Sequence, residues 1–149
     1  GDPERFPMPR TRLPAAMSFS GLKTALRYAI RDLGAAALNE AGTPVDPQVV
    51  SDMAASFQQA AVEQMVHALA TTADRIGAEQ VAVVGGVAAN TALGEAVRRQ
   101  LHGLRITVPP LGLCTDNAAM IAAAGWHRLR RLGPDRDGFA VDATLDEYA

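Results

Sequence analysis

Val81-Ala82-Val83-Val84 is apolar, mostly β-branched and too short to be a helix; Gly77 precedes it and Gly85-Gly86 follow at once. Such a run reads as a strand covered on both faces. It separates two helical periods, and that fixes the class. Upstream, Asp46-Pro47 is a start signal, an N-cap followed by proline in the first turn. Val49, Val50, Met53, Phe57, Ala61, Met65, Leu69, Ala73 and Ile76 then keep the helical spacing up to Gly77. A helix of about 30 residues spans roughly 45 Å, enough to cross a lobe. Downstream, Leu93, Val97 and Leu101 mark a helix that Gly103 closes, and Ile106 to Val108 reads as a second buried strand. Two strands joined through a helix imply a parallel crossover. The expected class is therefore α/β and helix-rich.

The flanks complete the order. Ser20 stands where an N-cap belongs, and Leu22, Ala25, Leu26, Ala29, Ile30 and Leu33 follow at helical spacing with Gly34 as a stop. Ala35 to Ala41 would either prolong this helix or form a short second one. Thr115 or Asp116 would cap a last helix running to about Leu132, ended by Gly133 and Pro134. The chain divides into a proline-rich extended arm (1–17), a lobe (18–133) and an irregular tail (134–149). Two strands make a poor sheet, so further strands are expected from polypeptide upstream of Gly1. The absence of an initiator methionine suggests processing or truncation.

Composition removes several functional classes. A formal charge of −2 gives no global field to recruit nucleic acid or an anionic membrane, so any RNA contact has to come from a local patch. The single cysteine, Cys114, excludes an internal disulfide and suits a reducing cytoplasm. No signal peptide is visible, and no apolar run approaches the roughly 20 residues of a membrane helix. His67, His102 and His127 form no i, i+4 pair, so there is no zinc-protease helix.

Three segments can carry chemistry. Gly85-Gly86-Val87-Ala88-Ala89-Asn90 ends a strand in two glycines and opens onto a helix, letting a backbone approach a ligand closely. Asn90 is then either a nucleoside- or acyl-recognising amide or simply an N-cap. Cys114-Thr115-Asp116-Asn117 follows the second strand, where open α/β sheets bind ligands. Asp116 is a helix cap or a carboxylate aimed at a metal; Cys114, with no activating histidine, reads as a small buried residue. Ser18-Phe19-Ser20-Gly21-Leu22-Lys23-Thr24 could line a phosphate site, or merely cap a helix. Lys23, Arg27 and Arg31 make a basic stripe on that helix, a solvated face or an RNA contact.

Taken together, SFSGLKTAL (18–26), VVGGVAAN (83–90) and PPLGLCTDNAAMIAAAG (109–125) closely resemble the tRNA adenosine threonylcarbamoyltransferase (TsaD) family, and GDPERFPMPR resembles the segment that precedes the first motif. The resemblance runs from Gly1 to about Trp126. It implies the carboxyl-terminal lobe of an actin, sugar-kinase and heat-shock ATPase (ASKHA) fold, with the parallel strands incomplete here. It also implies an acyltransferase that moves the threonylcarbamoyl group of threonylcarbamoyl-adenylate to the exocyclic amine of the adenosine beside the anticodon, in tRNAs reading codons that begin with A. By this resemblance Asn90, Gly85, Gly86, Ser20 and Gly21 contact substrate, and Asp116 binds a divalent metal, iron or zinc, which would polarise the carbamoyl oxygen or hold the phosphate. A paralogous partner protein and a small ATPase are the implied bacterial partners.

One departure is Ala118, where the family usually has glycine in CTDNGAMIA; a small change, expected to be tolerated. The family's H-x-x-x-H metal motif is absent from these residues, so the chain alone is expected to be inactive. Two other readings stay open: a lobe of a different ASKHA-superfamily ATPase or sugar kinase, or a non-catalytic scaffolding lobe.

Overall fold

The computed structural model describes residues 1–10 and 17–134. Pro14 of the arm and residues 135–149 of the expected tail lie outside the described residues. The order is α1 (Ser20–Asp32), α2 (Pro47–Ile76), β1 (Gln80–Ala82), α3 (Thr91–Gln100), β2 (Arg105–Thr107), α4 (Leu111–Cys114) and α5 (Ala118–Leu132). Among the described residues no helix is long and apolar enough to cross a membrane.

α2 forms over the expected span for the expected reasons. Asp46 accepts a hydrogen bond from the Gln48 N–H at 2.8 Å, Pro47 needs no donor there, and Gly77 closes the helix in the left-handed region at φ 62°. Its exposure pattern has a cause that spacing alone did not reveal. Buried positions run round the helix because α1, α3 and residues 1–10 all lie against it. Val62, Val66 and Ala73 of α2 join Val81, Leu93, Ala96, Val97 and Leu101 in one core. Val66 and Val97 have no exposed surface at all.

β1 and β2 pair in parallel, with Val81 opposite Ile106, and the Val83 N–H extends the ladder to the Thr107 carbonyl at 3.0 Å. The crossover through α3 is as expected. The strands differ from the reading in their burial: β1 is not covered on both faces, and β2 is not a buried strand, since Ile106 is only partly buried between exposed Arg105 and Thr107. Val81 is buried between exposed Gln80 and Ala82, and Val84 is 68% exposed. The described elements cover the two-stranded sheet on one face only, so half of an apolar strand is left open. α5 repeats this pattern. None of its residues is buried, and Ile121, Trp126 and Leu132 are all more than half exposed.

Two local expectations are corrected. Ala35 to Ala41 does not extend α1, which Leu33 ends, and the short second helix is confined to a 3-10 turn over Ala35–Ala37, after which Leu38 bridges Pro44. Asn39 holds that loop by accepting from the Ala41 and Thr43 N–H groups at 3.0 and 2.9 Å. Ser20 is not the N-cap. Phe19 already has helical angles and its carbonyl accepts from the Lys23 N–H at 2.9 Å, so the first turn starts one residue earlier.

Residues 1–10 are fastened to α2 by polar groups that helical spacing alone would have sent to solvent. Asp52, Ser56 and Gln64 are buried four or eight positions apart and face the arm. The Asp52 carboxylate accepts from the Asp2 N–H at 2.6 Å, from Arg5 Nη1 at 2.7 Å and from Gln48 Nε2 at 2.7 Å. Ser56 Oγ accepts from the Phe6 N–H, Gln64 Nε2 donates to the Pro9 carbonyl, and Arg10 pairs with Glu63 at 2.9 Å. The Asp2 N–H first and the Arg5 guanidinium second hold the Asp52 carboxyl below the usual carboxylate range, against the opposing effect of burial.

A depressed folded-state pKa gives stability that is present above the unfolded value and lost as pH falls through the folded one. Asp52→Asn is therefore expected to lower the urea midpoint at neutral pH. The gap should begin to narrow as pH falls below the ordinary carboxylate value of about 4, and close only once pH has passed the depressed folded-state value. Urea titrations at several pH values measure it; a constant gap down to acid pH would contradict the clasp.

Candidate functional site

The three sequence motifs meet at one end of the parallel strands. β1 leads into Val83 and Val84, then Gly85 at φ 85° and ψ 178°, a conformation open essentially to glycine alone. The chain does not pass directly into a helix, as expected from the sequence. A 3-10 turn over Gly86–Ala89 intervenes, and α3 starts only at Thr91. At Gly86 and Gly21 neither a positive φ nor any atom within 4 Å of an added Cβ requires glycine, so nothing described inside the chain explains the missing side chain.

Asn90 is the N-cap of α3. Its Oδ1 accepts from the Leu93 N–H at 3.0 Å while its Nδ2 donates to Gln58 Oε1 on α2 at 3.1 Å. The cap already satisfies one of the free N–H groups at the start of α3. Gln58, a neighbour of Asn90 from a distant helix, had no signal in the sequence, because the pairing is set by how α2 packs against α3.

The first motif approaches the same place. An apolar groove of about 580 Å³ is lined by Met17 and Phe19 at the start of α1, by Met65 and Leu69 of α2, and by Val84 and Val87 of the glycine turn. Ser20 and Gly21 form the first turn of α1 beside this groove; Ser20 is exposed, and its carbonyl accepts from Thr24 Oγ1 at 3.0 Å. The third motif reaches the same turn, where α4 packs against Gly86–Ala89.

Asp116 is not a cap. Asn117 takes that role: its Oδ1 accepts from the Met120 N–H at 3.0 Å and its Nδ2 donates to the Thr115 carbonyl at 2.9 Å. Asparagine caps as well as aspartate, and here it lies one residue further on. The consequence is a carboxylate left over. Asp116 is exposed and, among the described residues, makes no hydrogen bond or ion pair. Cys114 is buried, its thiol directed at the Pro109 and Pro110 carbonyls, which suits a structural role.

A metal needs more than this. Among the described residues no group of three His, Cys, Asp or Glu side chains could hold an ion, and structural or catalytic sites take three or four protein ligands. Asp116 is a single exposed carboxylate, and the described residues do not build a metal site around it.

Comparison with known proteins identifies the origin of the motifs. The family model for tRNA N6-adenosine threonylcarbamoyltransferase matches residues 1–123. A protein of that name from Symbiobacterium thermophilum is 46% identical over 87% of this chain and 37% of its own length. One from Synechococcus sp. is 42% identical over 99% of this chain and 40% of its own length, and one from Cereibacter sphaeroides is 47% identical over 96% and 40%. The chain thus spans about two-fifths of the curated relatives it matches. With a family match over most of its residues, and with the matched motifs gathered at one end of its parallel strands, the chain belongs to the tRNA N6-adenosine threonylcarbamoyltransferase family.

Proposed function

We propose that this chain forms one wall of the substrate site of a two-lobed, ASKHA-like transferase. That enzyme passes the threonylcarbamoyl group of threonylcarbamoyl-adenylate to the exocyclic amine of the adenosine beside the anticodon of tRNA. The observation that carries the reading is the convergence of three motifs, far apart in sequence, around the glycine turn after β1. Gly85, Gly86, Ser20 and Gly21 offer a backbone surface with little side chain in the way. Asn90 would present its amide to the adenylate, and Asp116 would give one ligand to a divalent metal whose other ligands belong to the rest of the protein. No catalytic base is assigned to this chain, which by itself is inactive. The working enzyme is cytoplasmic and acts with a paralogous partner protein and a small ATPase.

The test separates capping from recognition at Asn90. Asn90→Ala removes the α3 cap and is expected to cost about 1 kcal/mol, whereas Asn90→Ser keeps a capping oxygen and most of the stability. In a protein of the relatives' full length, both variants are expected to lose at least tenfold in transfer from threonylcarbamoyl-adenylate to tRNA. An Asn90→Ser enzyme that is stable and fully active would remove the recognition role. ATP hydrolysis without any transfer by the unaltered enzyme would favour an ATPase or kinase instead.

A further inference from the structure

α1 carries its charge in a way that the helix itself does not reward. Lys23, Arg27 and Arg31 recur every four residues on its exposed face, opposite buried Leu22. Like charges at i, i+4 oppose helix formation. Lys23 also sits in the first turn, where the macrodipole disfavours a cation, and no acidic residue stands there to offset it. Among the described residues Lys23 and Arg27 have no ion pair; Arg31 pairs with Asp32, an exposed neighbour at 2.9 Å. Lys23 and Arg27 are thus unrelieved cations that weaken α1 unless an anion covers them, while Arg31 stands in the last turn, where the dipole and Asp32 favour it. Tyr28, half exposed, lies between Arg27 and Arg31 in sequence, and the Arg31 guanidinium stands 4.7 Å from its ring centroid.

The stripe also has a direction. It begins one turn from Phe19, which lines the apolar groove beside the glycine turn, and runs about 12 Å away from it. A nucleotide seated near that turn would have the backbone of its own strand within reach of the stripe.

We propose that the outer face of α1, Lys23, Arg27, Tyr28 and Arg31, is a track for an RNA strand leading into the site. The three cations meet successive phosphates, and Tyr28 offers a ring for a base to stack on. Cationic grooves with aromatic platforms hold single-stranded nucleic acid in this way. The proposal rests on the reading that the site works on tRNA, and it adds the surface that grips it.

The experiment uses the 149-residue chain and a fluorescent tRNA anticodon stem-loop, with binding followed by anisotropy at several salt concentrations. The wild-type chain is expected to bind with a log–log salt slope near −2, since each single-strand phosphate contact contributes about 0.7. Lys23→Gln, Arg27→Gln and Arg31→Gln combined should flatten that slope and weaken binding at least tenfold at low salt, with unchanged circular dichroism. Should the triple variant unfold, each single variant should lower the slope by about 0.7. Tyr28→Ala should weaken binding and leave the slope alone. No binding by the wild-type chain, or variants with the same affinity and slope, would overturn the track. So would equal binding of polyglutamate without dependence on Tyr28, which would mark an acidic protein as the partner.

The functional reading fails separately. A completed enzyme that transfers nothing removes that reading even if the stem-loop binds α1. An active enzyme whose triple variant keeps its KM for tRNA removes the track alone.

Discussion

Asp116→Asn, introduced into a protein of the relatives' full length, is expected under the proposed function to lower both metal content and threonylcarbamoyl transfer, each by at least about 10–100-fold. That is the range measured when only a group supporting a metal ligand is lost, and loss of a ligand itself should cost no less. The expectation follows from the cap. Asn117 secures the N-terminus of α5, so the Asp116 carboxylate has no structural task among the described residues, and replacing it should leave the fold intact. Metal per protein, measured after gel filtration, reads the effect independently of activity. A variant that keeps its metal and its rate would show that Asp116 is merely a solvated loop residue. The 149-residue chain by itself is expected to hold no ion tightly, because one carboxylate does not make a site.

The second large effect concerns stability. Leu93→Ala is expected to destabilise the chain by about 2–5 kcal/mol, the range for deleting a buried leucine side chain. Leu93 is 4% exposed and lies in the core shared by α2, β1 and α3, while its N–H receives the cap of Asn90. Core and candidate site therefore share one residue. Since whole domains are held by about 5–15 kcal/mol, the change removes a large share of the stability. Urea unfolding of the two chains measures it, and a loss below about 1 kcal/mol would mean that α3 is not anchored through this position. The contrast with Asn90→Ala, which loses only a cap, tells packing from recognition at adjacent points of one helix.

Much of the fold was legible because its determinants are local. Asp46-Pro47 and Gly77 bracket α2, since a cap, a missing donor and a left-handed angle each act within one turn. The β-branched run after Gly77 and its counterpart before Pro109 announced two strands, and the helix between them announced their parallel pairing. The motifs that disclose the family are also contiguous stretches of chain. What misled was neighbouring capping chemistry. Ser20, Thr115 and Asp116 are all good caps by type, yet Phe19 and Asn117 hold those positions, and one residue of shift decides which side chain is left free.

The remainder belongs to contacts between residues distant in sequence. Asp52 and Ser56 look like solvent-facing positions of α2, and only the docking of residues 1–10 buries them and lowers the Asp52 pKa. The Gln58–Asn90 pair and the groove joining Phe19 to Val84 and Val87 likewise arise from how α1, α2 and the glycine turn pack. Val84 and the apolar residues of α5 show the converse. Their composition calls for cover that the described residues do not provide. Helix period, strand character and caps were thus determined by the sequence itself, because they depend on neighbours a few bonds away. Which polar group is buried, and which carboxylate stays free, was decided by tertiary packing, because desolvation and hydrogen-bond partners are set by whatever part of the chain arrives from elsewhere.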